Sequence, residues 1–124
     1  MGRGNQETGK IGEQIAVALL EKKGYEVLDT NVRTPFGEID IVARWKEMTI
    51  FIEVKTRATY SLGPPFLNVT RAKQKHLIRN ALCYLKRRGR VYSDWRIDVV
   101  SVKLNGRREL ESIELIENAV TEDR

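Results

Sequence analysis

The stretch GEIDIVARWKEMTIFIEVKTR, residues 37–57, decides how this chain is read. Two runs within it, IDIVA and TIFIEVKT, have the composition and length of strands, and Trp45 to Glu47 between them read as a short turn. Asp40, Glu53 and Lys55 sit inside these runs, and a core strand does not hold charge unless something compensates the burial. Side chains alternate along a strand, so Ile50, Ile52 and Val54 share one face and Phe51, Glu53 and Lys55 the other. Glu53 and Lys55 then project together, their Cα atoms roughly 6.5–7 Å apart. On the preceding run Glu38, Asp40 and Val42 share a face, opposite Ile39, Ile41 and Ala43. If the two strands form a hairpin, one register sets Asp40 beside Glu53. Like charges so placed repel unless a cation lies between them.

The expected cation is a divalent metal, and oxygen-only ligation points to Mg²⁺ or Mn²⁺. Asp40 and Glu53 would hold it; such an ion polarises a phosphodiester and lowers the pKa of a bound water. Lys55 would orient that water or stabilise charge building on the phosphate. The plainer reading, a Glu-Lys pair on an exposed sheet face, accounts for Glu-x-Lys taken alone. Asp40, on a neighbouring strand of matching polarity, weighs against it.

Outward from this centre, Glu7 to Lys23 reads as a helix, stopped by Gly24, and residues 25–32 as a first strand. Glu13 has Ala16, Val17 and Leu20 as its neighbours on the helix surface, so its carboxylate is either turned inward as a further metal ligand or snorkels to solvent. RATYSLGPPFLN, residues 57–68, is a loop. A second helix follows from Thr70 to Arg88, then a strand at 95–104, a turn at NGRR, and an edge strand at 109–117, with a frayed tail from Asn118. The order αβββαβ plus a terminal strand implies an α/β fold with a mixed sheet and a helix on either face. The length implies one domain over residues 1–124.

Charge is distributed unevenly. Residues 1–62 carry nine basic and nine acidic side chains, whereas residues 71–90 carry eight basic ones and no acid. A polyanion is the natural partner for such a stretch, although a basic solvated helix face is the plainer account. Arg71, Lys75, Arg79 and Lys86 fall along one face of the second helix as a ridge suited to a phosphate backbone. Lys73 lies on another side and is taken as a further backbone-contacting or solvated lysine, the alternative being a reach back toward the site to touch the scissile phosphate. Gln74 is a lesser candidate for that reach, His76 reads as a helix-surface residue, and Tyr60, Phe66 and Trp95 as packing aromatics able to stack on bases. The longest apolar run, Ile15 to Leu20, is too short to cross a bilayer. With no apolar signal core at the N-terminus, one cysteine and one histidine, the expected setting is cytoplasmic, without a disulfide, a zinc cluster or a membrane partner.

These residues resemble the YraN-like family of bacterial proteins, in the restriction-endonuclease-like (PD-(D/E)XK) nuclease superfamily. The likeness rests on Gly9, Gly12-Glu13, Ala16, Gly24-Tyr25, Asn31 and Arg33. It continues through Gly37-Glu38-Ile39-Asp40, the run Phe51 to Arg57, Gly63, Lys73, Ala81 and Arg96 to Val100, and so covers nearly the whole chain. It implies a restriction-endonuclease-like core, Asp40, Glu53 and Lys55 as the catalytic set, and Glu13 as the helical acid. The superfamily motif's proline is replaced by Ile39. Archaeal Holliday-junction resolvases look similar in this arrangement, which makes branched or damaged DNA a candidate substrate. The expected activity is metal-dependent endonucleolytic hydrolysis, with DNA preferred over RNA as partner; a homodimer, joined through residues 109–117 or 57–68, would suit cutting two strands. Two other classes stay open: a non-catalytic nucleic-acid-binding protein of nuclease-like fold, and an interaction protein whose acids pair with basic surfaces.

Overall fold

The computed structural model describes residues 2–58, 70–90 and 93–120. Helix α1 (Gly2–Lys22) buries Ala16 and Leu20 completely. It stops at Gly24, whose φ of +97° suits a residue without a side chain, and Tyr25 N–H closes the end by donating to Leu20 O at 2.9 Å. Three strands follow, β1 (Glu26–Thr34), β2 (Gly37–Trp45) and β3 (Met48–Ala58). Two-residue turns at Pro35-Phe36 and at Lys46-Glu47 join them, the second with Lys46 at φ +58°. Helix α2 (Arg71–Arg87) is capped by Thr70, whose hydroxyl accepts from Lys73 N–H at 3.2 Å. Strands β4 (Trp95–Leu104) and β5 (Leu110–Val120) complete the chain.

The sheet runs in the order β1-β2-β3-β4-β5. Only β3 and β4 are parallel, because the crossover through α2 separates them; the other neighbours are antiparallel. This is the α/β arrangement expected from the residues, a mixed sheet with two helices consistent with a restriction-endonuclease-like core. Alternation along β3 divides the apolar residues between two cores. Ile50 and Ile52 pack with Ala16, Leu20, Ile41, Val100 and Val102, on the side of α1. Phe51 packs with Val42, Ala81, Tyr84, Leu85 and Ile97, on the side of α2. No helix among the described residues is long and apolar enough to cross a membrane.

Several boundaries differ from expectation. Helix α1 begins at Gly2 rather than Glu7, β1 continues to Thr34, and β3 continues to Ala58, so Arg57 and Ala58 belong to the strand and not to the loop. The chain does not fray at Asn118: Val120 is 4% exposed and pairs with Ile97, while Asn118 N–H donates to the buried Asp98 carboxylate at 2.9 Å. Burial of that carboxylate demands donors, and a strand read from its own sequence does not reveal which one answers. Residues 121–124 of the expected tail, and most of the 57–68 loop with Tyr60, Gly63 and Phe66, lie outside the described residues.

Candidate active site

The β2–β3 ladder ends at Ile41↔Ile52. The next pair in that register is Asp40 and Glu53, where the strands have parted. Val54 N–H, which has lost its place in the ladder, donates instead to Asp40 Oδ2 at 2.8 Å. One carboxylate thereby satisfies a backbone donor and stands in the opening it bridges. On the other side, Thr56 and Gly12 bring α1 close to β3: a Cβ on Gly12 would collide with the Thr56 hydroxyl. That approach sets Glu13, the following residue, at the rim. Its carboxylate accepts from Asn31 Nδ2 at 3.0 Å, and Asn31 sits on β1 at φ +50°, a conformation asparagine tolerates better than most residues.

Glu13, Asp40, Glu53 and Lys55 line one cavity of about 500 Å³, together with Thr8, Gly9 and the end of β3 from Val54 to Ala58. Burial, and then the Glu53 carboxylate, push Asp40 up to about 7; the Val54 N–H opposes this, while Glu13 and Glu38 add to it. Glu53 is only 12% exposed, and its Oε2 receives two ammonium groups, Lys73 at 3.3 Å and Lys55 at 3.6 Å. Burial and the neighbouring Lys73 lower the pKa of Lys55, against the pull of Glu53. Burial also works against charge on Lys73, but Glu53, aided by Asp40, holds its pKa above the ordinary lysine value.

The three acids share a cavity without touching. Among the described residues, no three His, Cys, Asp or Glu side chains form a ready-made metal-holding group. Glu53 instead meets the two lysines.

On α2 the structure separates Lys73 from the basic ridge, since it turns to Glu53. Arg71, Lys75, Arg79 and Lys86 are exposed, and none takes part in an ion pair among the described residues. His76 is exposed, as expected. Trp95 is half-buried and meets the Phe51 ring edge-on at 6.0 Å, which makes it a packing residue. Sequence reasoning gave no role to Asn31 or Gly12. An asparagine two residues before a charged strand end is a faint signal; a glycine directly before a candidate ligand, inside a helix it weakens, is a better one.

A family model described as Uncharacterised protein family UPF0102 matches residues 12–102. A UPF0102 protein of Desulfosudis oleivorans is 47% identical over 114 residues, covering 92% of this chain and 89% of the relative. One from Caldicellulosiruptor saccharolyticus is 41% identical over 114 residues, covering 92% and 97%. A third, from Geobacter metallireducens, is 41% identical over 115 residues and covers 93% of each chain.

Proposed function

This chain belongs to the Uncharacterised protein family UPF0102, and we propose that it is a metal-dependent nuclease of the restriction-endonuclease-like (PD-(D/E)XK) superfamily that hydrolyses phosphodiester bonds in DNA. One observation carries the reading: Asp40, Glu53, Glu13 and Lys55 converge on a single cavity where β2 and β3 part. Asp40 supplies the fit to a metal. Burial and Glu53 push its carboxyl to about 7, a cost of charge that a divalent cation would relieve, and every donor is oxygen. Asp40, Glu53 and Glu13 would hold Mg²⁺ or Mn²⁺.

A divalent cation bound there supplies Lewis acidity toward a phosphodiester and makes water acidic enough to attack. The chain does the rest. Val54 N–H anchors Asp40 through one oxygen at the wall of the cavity. Lys55, beside Glu53 at the cavity, orients the attacking water and stabilises charge building on the phosphate. Lys73 keeps its charge and meets the negative charge that grows on the phosphate. The exposed cations of α2 hold the flanking backbone of the nucleic acid.

The test is direct. Supercoiled, single-stranded and four-way-junction DNA are incubated with the protein and Mg²⁺ or Mn²⁺. Cleavage that needs the metal and vanishes in Lys55→Ala supports the proposal; no cleavage dependent on both removes it.

A second reading is a nucleic-acid-binding protein without turnover. It is favoured by the two ammonium groups already on Glu53 and by the separation of the three acids. DNA binding undiminished in Asp40→Ala, with no heat of metal binding by calorimetry, would select it.

A further inference from the structure

The turn between β1 and β2 carries an apolar ring in an unusual setting. Phe36 is 43% exposed, at the tip of a two-residue hairpin turn. An exposed ring by itself calls for no explanation. This one, however, is held by a chain of polar contacts that reaches into the protein. Phe36 N–H donates to Thr34 Oγ1 at 3.0 Å, and the Thr34 hydroxyl in turn donates to Asn80 Oδ1. Asn80 is a buried residue of α2, 4% exposed. Gly37, at φ +139°, supplies a backbone conformation that other residues rarely adopt and lies against the Asn80 amide. A buried amide is thus committed to fixing the tip that presents Phe36 to solvent.

The ring also lies beside the basic ridge. Arg79, one of its four exposed cations, has its guanidinium carbon 5.9 Å from the Phe36 ring centroid. Two routes place the ring relative to the candidate site. Phe36 precedes Asp40 by four residues of chain, at most about 13 Å along a strand. Arg79 follows Lys73 by six residues of helix, about 9 Å along its axis. Stacked bases rise 3.4 Å per step, so these lengths correspond to about three to four nucleotide steps, the scale on which one strand would reach both the ring and a phosphate at the cavity.

We propose that Phe36 is a stacking platform for an unpaired base, and that the preferred substrate therefore has a single-stranded segment next to the scissile phosphate: a fork, a flap or a junction. The proposal rests on the nucleic-acid reading of the site. Every base has a flat face that such a ring accepts whatever the sequence, and Arg79 holds the phosphate that accompanies it. A paired base in continuous duplex is stacked on its neighbours and does not offer that face.

The experiment uses Lys55→Ala protein, expected to hold DNA without cutting it, and fluorescein-labelled fork and duplex of equal length. A second fork carries 2-aminopurine at the three or four unpaired positions next to the branch. The expected result is tighter binding of fork than duplex and quenching of 2-aminopurine. Phe36→Ala lowers the fork-to-duplex affinity ratio about five- to tenfold or more and abolishes the quench, and Phe36→Trp restores both. If both DNAs bind but ratio and quench are the same in all three proteins, the platform is refuted and the nucleic-acid reading stands. If neither DNA binds at low salt, both fall.

Discussion

Asp40 carries the largest electrostatic consequence at the level of single residues. Its carboxyl, pushed to about 7, is protonated in the folded metal-free protein at pH values where the unfolded chain, near 3.8, has lost the proton. The folded state then binds more protons, so stability falls as pH rises from about 4 through about 7. Metal-free Asp40→Asn, which keeps an acceptor for Val54 N–H, should lose that decline and be about 2–4 kcal/mol more stable than wild type at pH 8. Urea midpoints between pH 4.5 and 8 measure this; parallel curves for the two proteins would refute it. At pH 8 Mg²⁺ should raise the wild-type stability, by about 2.7 kcal/mol at a hundred times its dissociation constant, and leave Asp40→Asn nearly unmoved. Lys73 already sits on Glu53, where a bound metal ion would have to compete with it. Lys73→Gln is therefore expected to bind Mg²⁺ more tightly by calorimetry while cleaving more slowly, a pairing that a purely structural lysine would not produce.

Between elements, the contact that builds the site is the approach of α1 to β3 at Gly12 and Thr56. Gly12→Ala places a methyl group where the Thr56 side chain already is, and overpacking of this kind costs about 1–3 kcal/mol. Thermal melts should show that loss, with only part of it recovered by adding Thr56→Ala, because the Thr56 Cβ is itself close. Metal affinity should fall as well, since Glu13 moves with the helix. On α2 the role proposed for the ridge rests on charge. Replacing Arg71 and Lys75 by Gln should weaken DNA binding at low salt and flatten the plot of log K against log salt by about 0.9 for each phosphate that is no longer neutralised. An unchanged slope would mean that the helix faces water and not nucleic acid.

At the scale of the whole molecule, the C-terminal strand ties the chain's end to its buried charge. Asp98 is fully buried and accepts from Arg96 at 2.9 Å and from Asn118 N–H at 2.9 Å. Ending the chain after Glu117 removes one of those donors and uncovers Ile97, which pairs with Val120. A loss of at least about 2 kcal/mol follows from the unsatisfied carboxylate and the exposed apolar surface. Chemical denaturation of the shortened protein checks it.

The local pattern of residues 37–57 settled much of this molecule before any tertiary contact was known. Alternation placed Ile50 and Ile52 on one face and Phe51 on the other, and the hairpin reading offered the register that carries Asp40 toward Glu53, which the turn at Lys46-Glu47 then fixes. Both depend on neighbours a few positions apart, so the chain alone expresses them. What it could not express was the parting of β2 and β3 beyond Ile41 and Ile52, the turning of Lys73 to Glu53, or the hydrogen bond from Asn31 to Glu13. The burial of Val120 at the end of β5 was equally hidden. Each joins groups 18 or more positions apart, or depends on which strand ends first, and only packing of the whole chain chooses among the partners that polarity alone allows.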